Sequence, residues 1–234
     1  MDRGYVYVNK TNYLHNIEVL KQLSDKELCL VVKANGYGHG IEWTVKTAME
    51  AGIKWFAVAA ISEAKKVRAQ SDELRVLLLT EPSLGEIDNI EKYNIDLTVY
   101  NDFFIDGLAK SGKAFNTHIK IDTGMGRLGI QPEDFLSLLN NVISYKNLKI
   151  EGIFTHLSSA DEEDPETTHH QISIFLNVLK KLHTTNFSKM INENNRILFH
   201  SANTAGLLRV PESRFNLVRP GISLFGSFPS PTTA

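Results

Sequence analysis

A single cysteine stands in 234 residues. One thiol cannot build a disulfide framework, so the core must hold the fold, and Cys29, inside an apolar run, reads as a small buried residue. No apolar run approaches the ~20 residues that a membrane-spanning helix needs. The opening MDRGYVYVNKTNYLHN lacks the apolar centre of a secretion signal. An excess of charge is missing too: 25 Lys and Arg face 27 Asp and Glu, a net charge of −2. That balance supplies no surface for nucleic acid and no attraction to an anionic membrane. Repeats and low-complexity tracts are absent, and no GxGxxG follows the first strand, which weakens a dinucleotide-binding sheet. These absences favour a cytoplasmic enzyme with neither nucleic acid nor membrane as partner, and no metal is expected. What the chain does have is 42% hydrophobic residues, enough for a sizeable core in one α/β barrel or two small domains.

Short apolar runs alternate with helix-like segments. Strands are predicted at 28–33, 55–59, 75–79, 97–99, 117–121, 148–154, 197–200 and 217–218, with a further short strand, 5–9, ahead of them. Helices are predicted at 11–23, 42–50, 62–70, 84–92, 103–111, 132–144, 165–182 and 204–209. Ser62 reads as a cap for a helix starting at Glu63, and Pro132 with Glu133, like Pro165 with Glu166, suits a first turn. Eight strands alternating with helices imply a (β/α)8 TIM-type barrel; a doubly wound open sheet is the competitor. In a barrel the loops after the strands build the active face.

Lys33 ends the first apolar run and precedes a glycine-rich loop, ANGYGHG. Glycines let backbone approach a ligand, and a lysine facing such a crevice is the residue type that forms Schiff bases with carbonyls. A lysine stem snorkelling to solvent fits the same local pattern. Downstream, HIKIDTGMGRLGI sets Arg127 among three glycines, at home against an anionic ligand or in a solvated turn. His156 follows an apolar strand in GIFTHL, where a satisfied core histidine is the usual outcome. HSANTAG offers hydroxyl and N–H groups to a phosphate, or simply an N-cap at Asn203 or Thr204. VRPGI closes the last strand, with Gly221 offering an open N–H where barrels bind phosphate, or with a plain turn.

These segments together resemble the alanine racemases, and in the same order. VVKANGYGHG is similar to their pyridoxal-phosphate attachment segment, and HIKIDTGMGRLG, HSANTAG and VRPGI are similar to three more of their motifs. The resemblance implies a pyridoxal-phosphate fold type III barrel in which Lys33 carries pyridoxal 5'-phosphate and is the catalytic base on one face of the substrate Cα. It implies that Tyr37, Asn203, Thr204, Gly221 and Ile222 hold the phosphate, that His156 packs by the pyridine ring, and that Arg219 meets the pyridine nitrogen. Arg127 is then the substrate-binding arginine, supported by Lys120, which is carbamylated in some members. Thr204 departs from the family's usual serine, keeping the hydroxyl and adding a methyl. Arginine at the ring nitrogen disfavours protonating that atom, which suits removal and return of a proton at Cα.

The implied activity is interconversion of L-alanine and D-alanine, supplying D-alanine for peptidoglycan synthesis. Residues 1–226 are expected to form the barrel domain, and the Pro/Ser/Thr-rich 227–234 a linker toward a C-terminal β-domain. The family's opposite-face tyrosine lies in that second domain of the other subunit, so a homodimer is expected of the full-length protein and poor activity of this chain alone. The alternatives are a single-domain pyridoxal-phosphate homeostasis protein and a racemase for serine or another small amino acid.

Overall fold

The computed structural model describes residues 7–182 and 197–233. Eight strands, β1 (Glu27–Val31), β2 (Trp55–Val58), β3 (Arg75–Leu78), β4 (Asp96–Val99), β5 (Phe115–Lys120), β6 (Leu148–Phe154), β7 (Leu198–His200) and β8 (Leu217–Val218), pair in parallel in the order β7-β6-β5-β4-β3-β2-β1-β8. The first strand therefore lies beside the last, with Glu27 opposite Leu217 and Leu28 opposite Val218. Single hydrogen bonds stitch the remaining seam between β7 and β8: Asn216 N–H donates to Phe199 O at 3.1 Å, and Phe199 N–H to Asn216 Oδ1 at 2.6 Å. The architecture is the (β/α)8 barrel.

Period-two alternation sorts each strand between two apolar layers. On β1 and β2, Leu28, Leu30, Val32, Phe56 and Val58 join the large cluster between strands and helices. Their neighbours Cys29, Val31, Trp55 and Ala57 meet Leu77, Leu198 and Leu217 inside the barrel. Cys29 is fully buried there. The sequence Cys29, Val31, Lys33 keeps one parity, so Lys33 follows the inward row.

The floor of the barrel is ionic. Arg75 grips the buried carboxylate of Asp96 through two bonds, at 2.9 and 3.0 Å, and its guanidinium lies 4.5 Å above the Trp55 ring. Glu151 approaches the same arginine at 3.4 Å.

Several predicted helix starts shift. The helix Ile61–Arg68 begins before Ser62, with Ala60 at the cap position, and Glu63 turns back so that its carboxylate accepts from Ala59 N–H at 3.0 Å. Pro132 and Glu133 sit in a turn ahead of the helix Phe135–Ser144. Pro165 precedes the helix Glu166–Leu182, where the Asp164 side chain accepts from Glu166 N–H. Of the strand predicted at 5–9, residues 5 and 6 lie outside the described residues. Residues 7–9 are not strand, because Asn9 is the N-cap of the helix Lys10–Ser24 and accepts from Asn12 N–H at 3.0 Å.

The segment after β1 departs furthest from expectation. Ala34, Asn35, Gly36 and Tyr37 all take positive φ, between 51° and 63°, and form one left-handed turn. Each non-glycine residue so placed costs about 1–2 kcal/mol, which tertiary contacts must offset. Asn35 supplies one such contact by accepting Ile41 N–H at 3.1 Å, and Glu63 another by accepting Asn35 N–H at 3.4 Å.

Candidate active site

A cavity of about 460 Å³ opens at the C-terminal ends of the strands. Its wall contains Lys33, Tyr37, Lys120, Arg127, His156, Asn203, Thr204, Arg219, Gly221 and Ile222, every site residue expected from the sequence. Four of these are lysines or arginines, and among the described residues Asp161 is the one carboxylate in the wall, so the cavity is built to receive negative charge.

Closure of the barrel brings the two ends of the chain's chemistry together. Val31 N–H donates to Pro220 O at 2.9 Å, which ties the strand leading to Lys33 to the turn after β8. The left-handed turn then points Tyr37 at Gly221. A Cβ on Gly221 would stand 2.5 Å from the tyrosine oxygen. Burial raises the Tyr37 phenol, so it remains a neutral hydroxyl. The Gly221 N–H is not open, as the turn alone implied, but donates to Thr204 Oγ1 at 3.0 Å. Asn203 proves to be the N-cap, its Oδ1 accepting from Gly206 N–H at 2.9 Å while its Nδ2 donates to Leu157 O. Asn203 and Thr204 both line the cavity, and the Thr204 hydroxyl, besides accepting from Gly221, lies 3.4 Å from Ser223 Oγ.

Arg219 is 3% exposed. Its Nη1 lies 2.6 Å from His200 Nδ1, and its Nη2 donates to Thr155 O and Ser201 O at 2.8 and 3.2 Å. Nε makes no hydrogen bond among the described residues. Burial lowers this guanidinium to about 10. His156 is driven down to about 3, by burial first and then by Arg219, Lys120, Arg127 and Lys33, so the ring facing the cavity is neutral.

Lys120 is 4% exposed and its ammonium has no hydrogen bond or ion pair among the described residues. It lies 5.5 Å over the Phe154 ring. Burial and the neighbouring Arg219 lower it to about 8, with Asp122 pulling the other way.

Asp122 is a functional residue that the sequence reading passed over. Its Oδ1 accepts from Gly124 and Gly126 N–H at 3.0 and 3.1 Å, and its Oδ2 from Arg127 N–H at 3.1 Å, so one carboxylate shapes the loop that carries Arg127. Burial alone would raise it, yet the backbone N–H groups of Gly124, Gly126, Met125 and Arg127 hold it below the usual range. His118 and His200 were passed over as well. A signal existed for His118: it lies two residues before Lys120 on β5, the same parity and so the same inward face.

The residues present fit pyridoxal phosphate. The cavity is of cofactor size, an amine stands at the strand mouth, hydroxyl donors gather at Tyr37 and Thr204, and Gly221 lacks the side chain that would fill the cradle.

A family profile described as "Alanine racemase, N-terminal domain" matches residues 8–229. Among curated relatives, the chain is 38% identical over 228 residues to an alanine racemase of Carboxydothermus hydrogenoformans, covering 95% of this chain and 60% of that one. It is 36% identical over 230 residues to an alanine racemase of Desulforamulus reducens, with the same coverages. Among solved structures it is similar to alanine racemase of Clostridium difficile 630 in complex with cycloserine, with a TM-score of 0.86, 30% identity and coverage of 95% and 61%. It is also similar to the alanine racemase of Bacillus anthracis with bound L-Ala-P, with a TM-score of 0.85, 30% identity and coverage of 97% and 60%. The chain spans about three fifths of the length of these relatives.

Proposed function

Because this chain belongs to the alanine racemase family through its N-terminal domain, we propose that it binds pyridoxal 5'-phosphate at Lys33 and serves the interconversion of L-alanine and D-alanine. The observation that carries the proposal is the meeting of Lys33, Tyr37, Lys120, Arg127, Thr204 and Arg219 around one cavity.

The chemistry the cofactor supplies when bound is delocalisation of the negative charge that develops at an amino-acid Cα. The protein's part is placement. Lys33 would hold the cofactor through its amine and would take or return a proton on one face of the substrate Cα. Tyr37, Thr204 and the Ile222 backbone would hold the phosphate, with the Gly221 N–H fixing the Thr204 hydroxyl in place. Arg219, a permanent donor, would meet the pyridine nitrogen and keep a proton off that atom. Arg127 takes the substrate carboxylate on the loop that Asp122 shapes, and neutral His156 packs beside the ring. Racemisation needs a second proton carrier on the opposite face, which the family resemblance assigns to a tyrosine of the partner subunit.

In the whole protein the proposal extends to a cytoplasmic homodimer that supplies D-alanine for peptidoglycan. The relatives reported above are named as alanine racemases, which supports this reading over a cofactor-homeostasis role.

The test is incubation with pyridoxal phosphate, borohydride reduction and peptide mapping. The label is expected on Lys33 and absent in Lys33→Ala. A label that persists in Lys33→Ala, or sits on Lys120 in the parent, sinks the proposal. Solvent-deuterium exchange at alanine Cα by the loaded protein then reads the one-face proton transfer.

A further inference from the structure

Arg219 is the upper member of a buried polar chain that runs down the barrel interior. Its Nη1 lies 2.6 Å from His200 Nδ1, and His200 Nε2 lies 3.0 Å from His118 Nδ1. His118 and His200 are both fully buried. An arginine only donates, so His200 Nδ1 must be the bare, accepting nitrogen. The His200 proton is then on Nε2 and points at His118 Nδ1, which must accept in turn. That leaves the His118 proton on Nε2, an atom with no partner among the described residues. One arrangement of hydrogens satisfies both contacts. Burial pushes both imidazoles far toward the neutral form, aided by Arg75 and Arg219 at His118 and by Arg219 at His200, in keeping with it.

The surroundings fix the rings in place. Phe154 stacks on His200 with centroids 4.7 Å apart and planes 8° from parallel, and Trp55 meets His118 edge-on at 5.9 Å. A side chain on Gly152 would collide with the His118 ring. A buried N–H without an acceptor is costly, and an apolar ring would fill the same space without that cost. What His118 provides in exchange is its other nitrogen.

We infer that His118 is a positioning residue for Arg219: by accepting the His200 Nε2 proton it holds His200 as an acceptor, which pins the guanidinium and leaves Nε as the donor free of protein partners. Its consequence for cofactor binding rests on the function proposed above; the hydrogen arrangement does not. His118 does not line the cavity and acts through His200.

The experiment is long-range ¹⁵N–¹H NMR of the histidine-labelled chain at neutral pH, with His118→Phe, His118→Asn and His118→Gln alongside. Both His118 and His200 are expected as Nε2–H tautomers in the parent. His118→Phe removes the acceptor, so His200 should become a mixture of tautomers and pyridoxal phosphate should bind about tenfold more weakly. Asn keeps an acceptor near the Nδ1 position and should restore a single His200 tautomer and near-parental affinity, whereas Gln, which carries its amide one bond further out, should not. This Asn–Gln pair decides the matter if the Phe variant does not fold. A His200 Nδ1–H in the parent, or an unchanged His200 spectrum and affinity on loss of the acceptor, overturns the inference. Failure of the parent to take cofactor at Lys33 counts against the proposed function, while the tautomers still judge the relay.

Discussion

The Tyr37 hydroxyl occupies the space a side chain on Gly221 would need: a Cβ there would stand 2.5 Å from Oη and 3.1 Å from Cζ. The turns after the first and last strands are thus fitted to each other.

Gly221→Ala is therefore expected to push Tyr37 out of the cavity wall. Overpacking of this kind costs about 1–3 kcal/mol. Cofactor affinity should fall with stability, and adding Tyr37→Ala should recover the stability but not the affinity. Additive losses in the double variant, by urea melts and cofactor titration, would show that the two residues are not coupled.

Asp122→Asn should loosen the Arg127 loop. The carboxylate accepts three backbone N–H groups within 3.1 Å, and an amide nitrogen in place of one oxygen leaves at least one unsatisfied. A loss of about 1.5–3 kcal/mol is expected, with faster hydrogen exchange at Gly124, Gly126 and Arg127. Unchanged protection at those amides would remove Asp122 from its role.

Lys120 should react with carbon dioxide. Its amine is lowered to about 8, so a large share is neutral and nucleophilic in mild alkali. The neutral amine adds to carbon dioxide with loss of one proton, so from ammonium to carbamate two protons leave in all and a cation beside Arg127 and Arg219 becomes an anion, which relieves repulsion. ¹³C-bicarbonate should give a protein-bound carbamate signal that grows with pH and vanishes in Lys120→Ala. A signal indifferent to that substitution points to another amine.

Acid should weaken the fold before the carboxylates titrate. His118 is held at about 3 and His200 well below its ordinary value, both chiefly by burial. In the unfolded chain each binds a proton near pH 6.5, so the unfolded state carries more protons below that value and stability falls with pH. The slope approaches about 1.4 kcal/mol per pH unit for each histidine until its folded value is reached. Urea midpoints at pH 7, 6 and 5 should decline steadily; a flat profile would mean the pair is protonated in the folded protein.

The sequence by itself determined the succession of strands and helices and the face on which Lys33 lies. Both are local: side chains alternate along a strand with period two, and the apolar run 28–32 displays it without any partner. The residues that its motifs singled out all line one cavity, although others in the wall, such as Asp161, stand outside those motifs. Tertiary structure decided how they meet. Lys33 comes beside Gly221 only because β1 pairs with β8, and His118 reaches His200 across 82 positions only because β5, β6 and β7 adjoin. Hydrogen-bond polarity in that pair depends on a third group, Arg219, on yet another strand end. The left-handed turn at 34–37 was illegible for a related reason. Ala34, Asn35 and Tyr37 prefer negative φ when free, so their conformation is imposed by contacts such as Asn35 with Ile41 and Glu63. Ser62 likewise lost its cap position, because Glu63 turned back to the end of β2 and the helix began at Ile61.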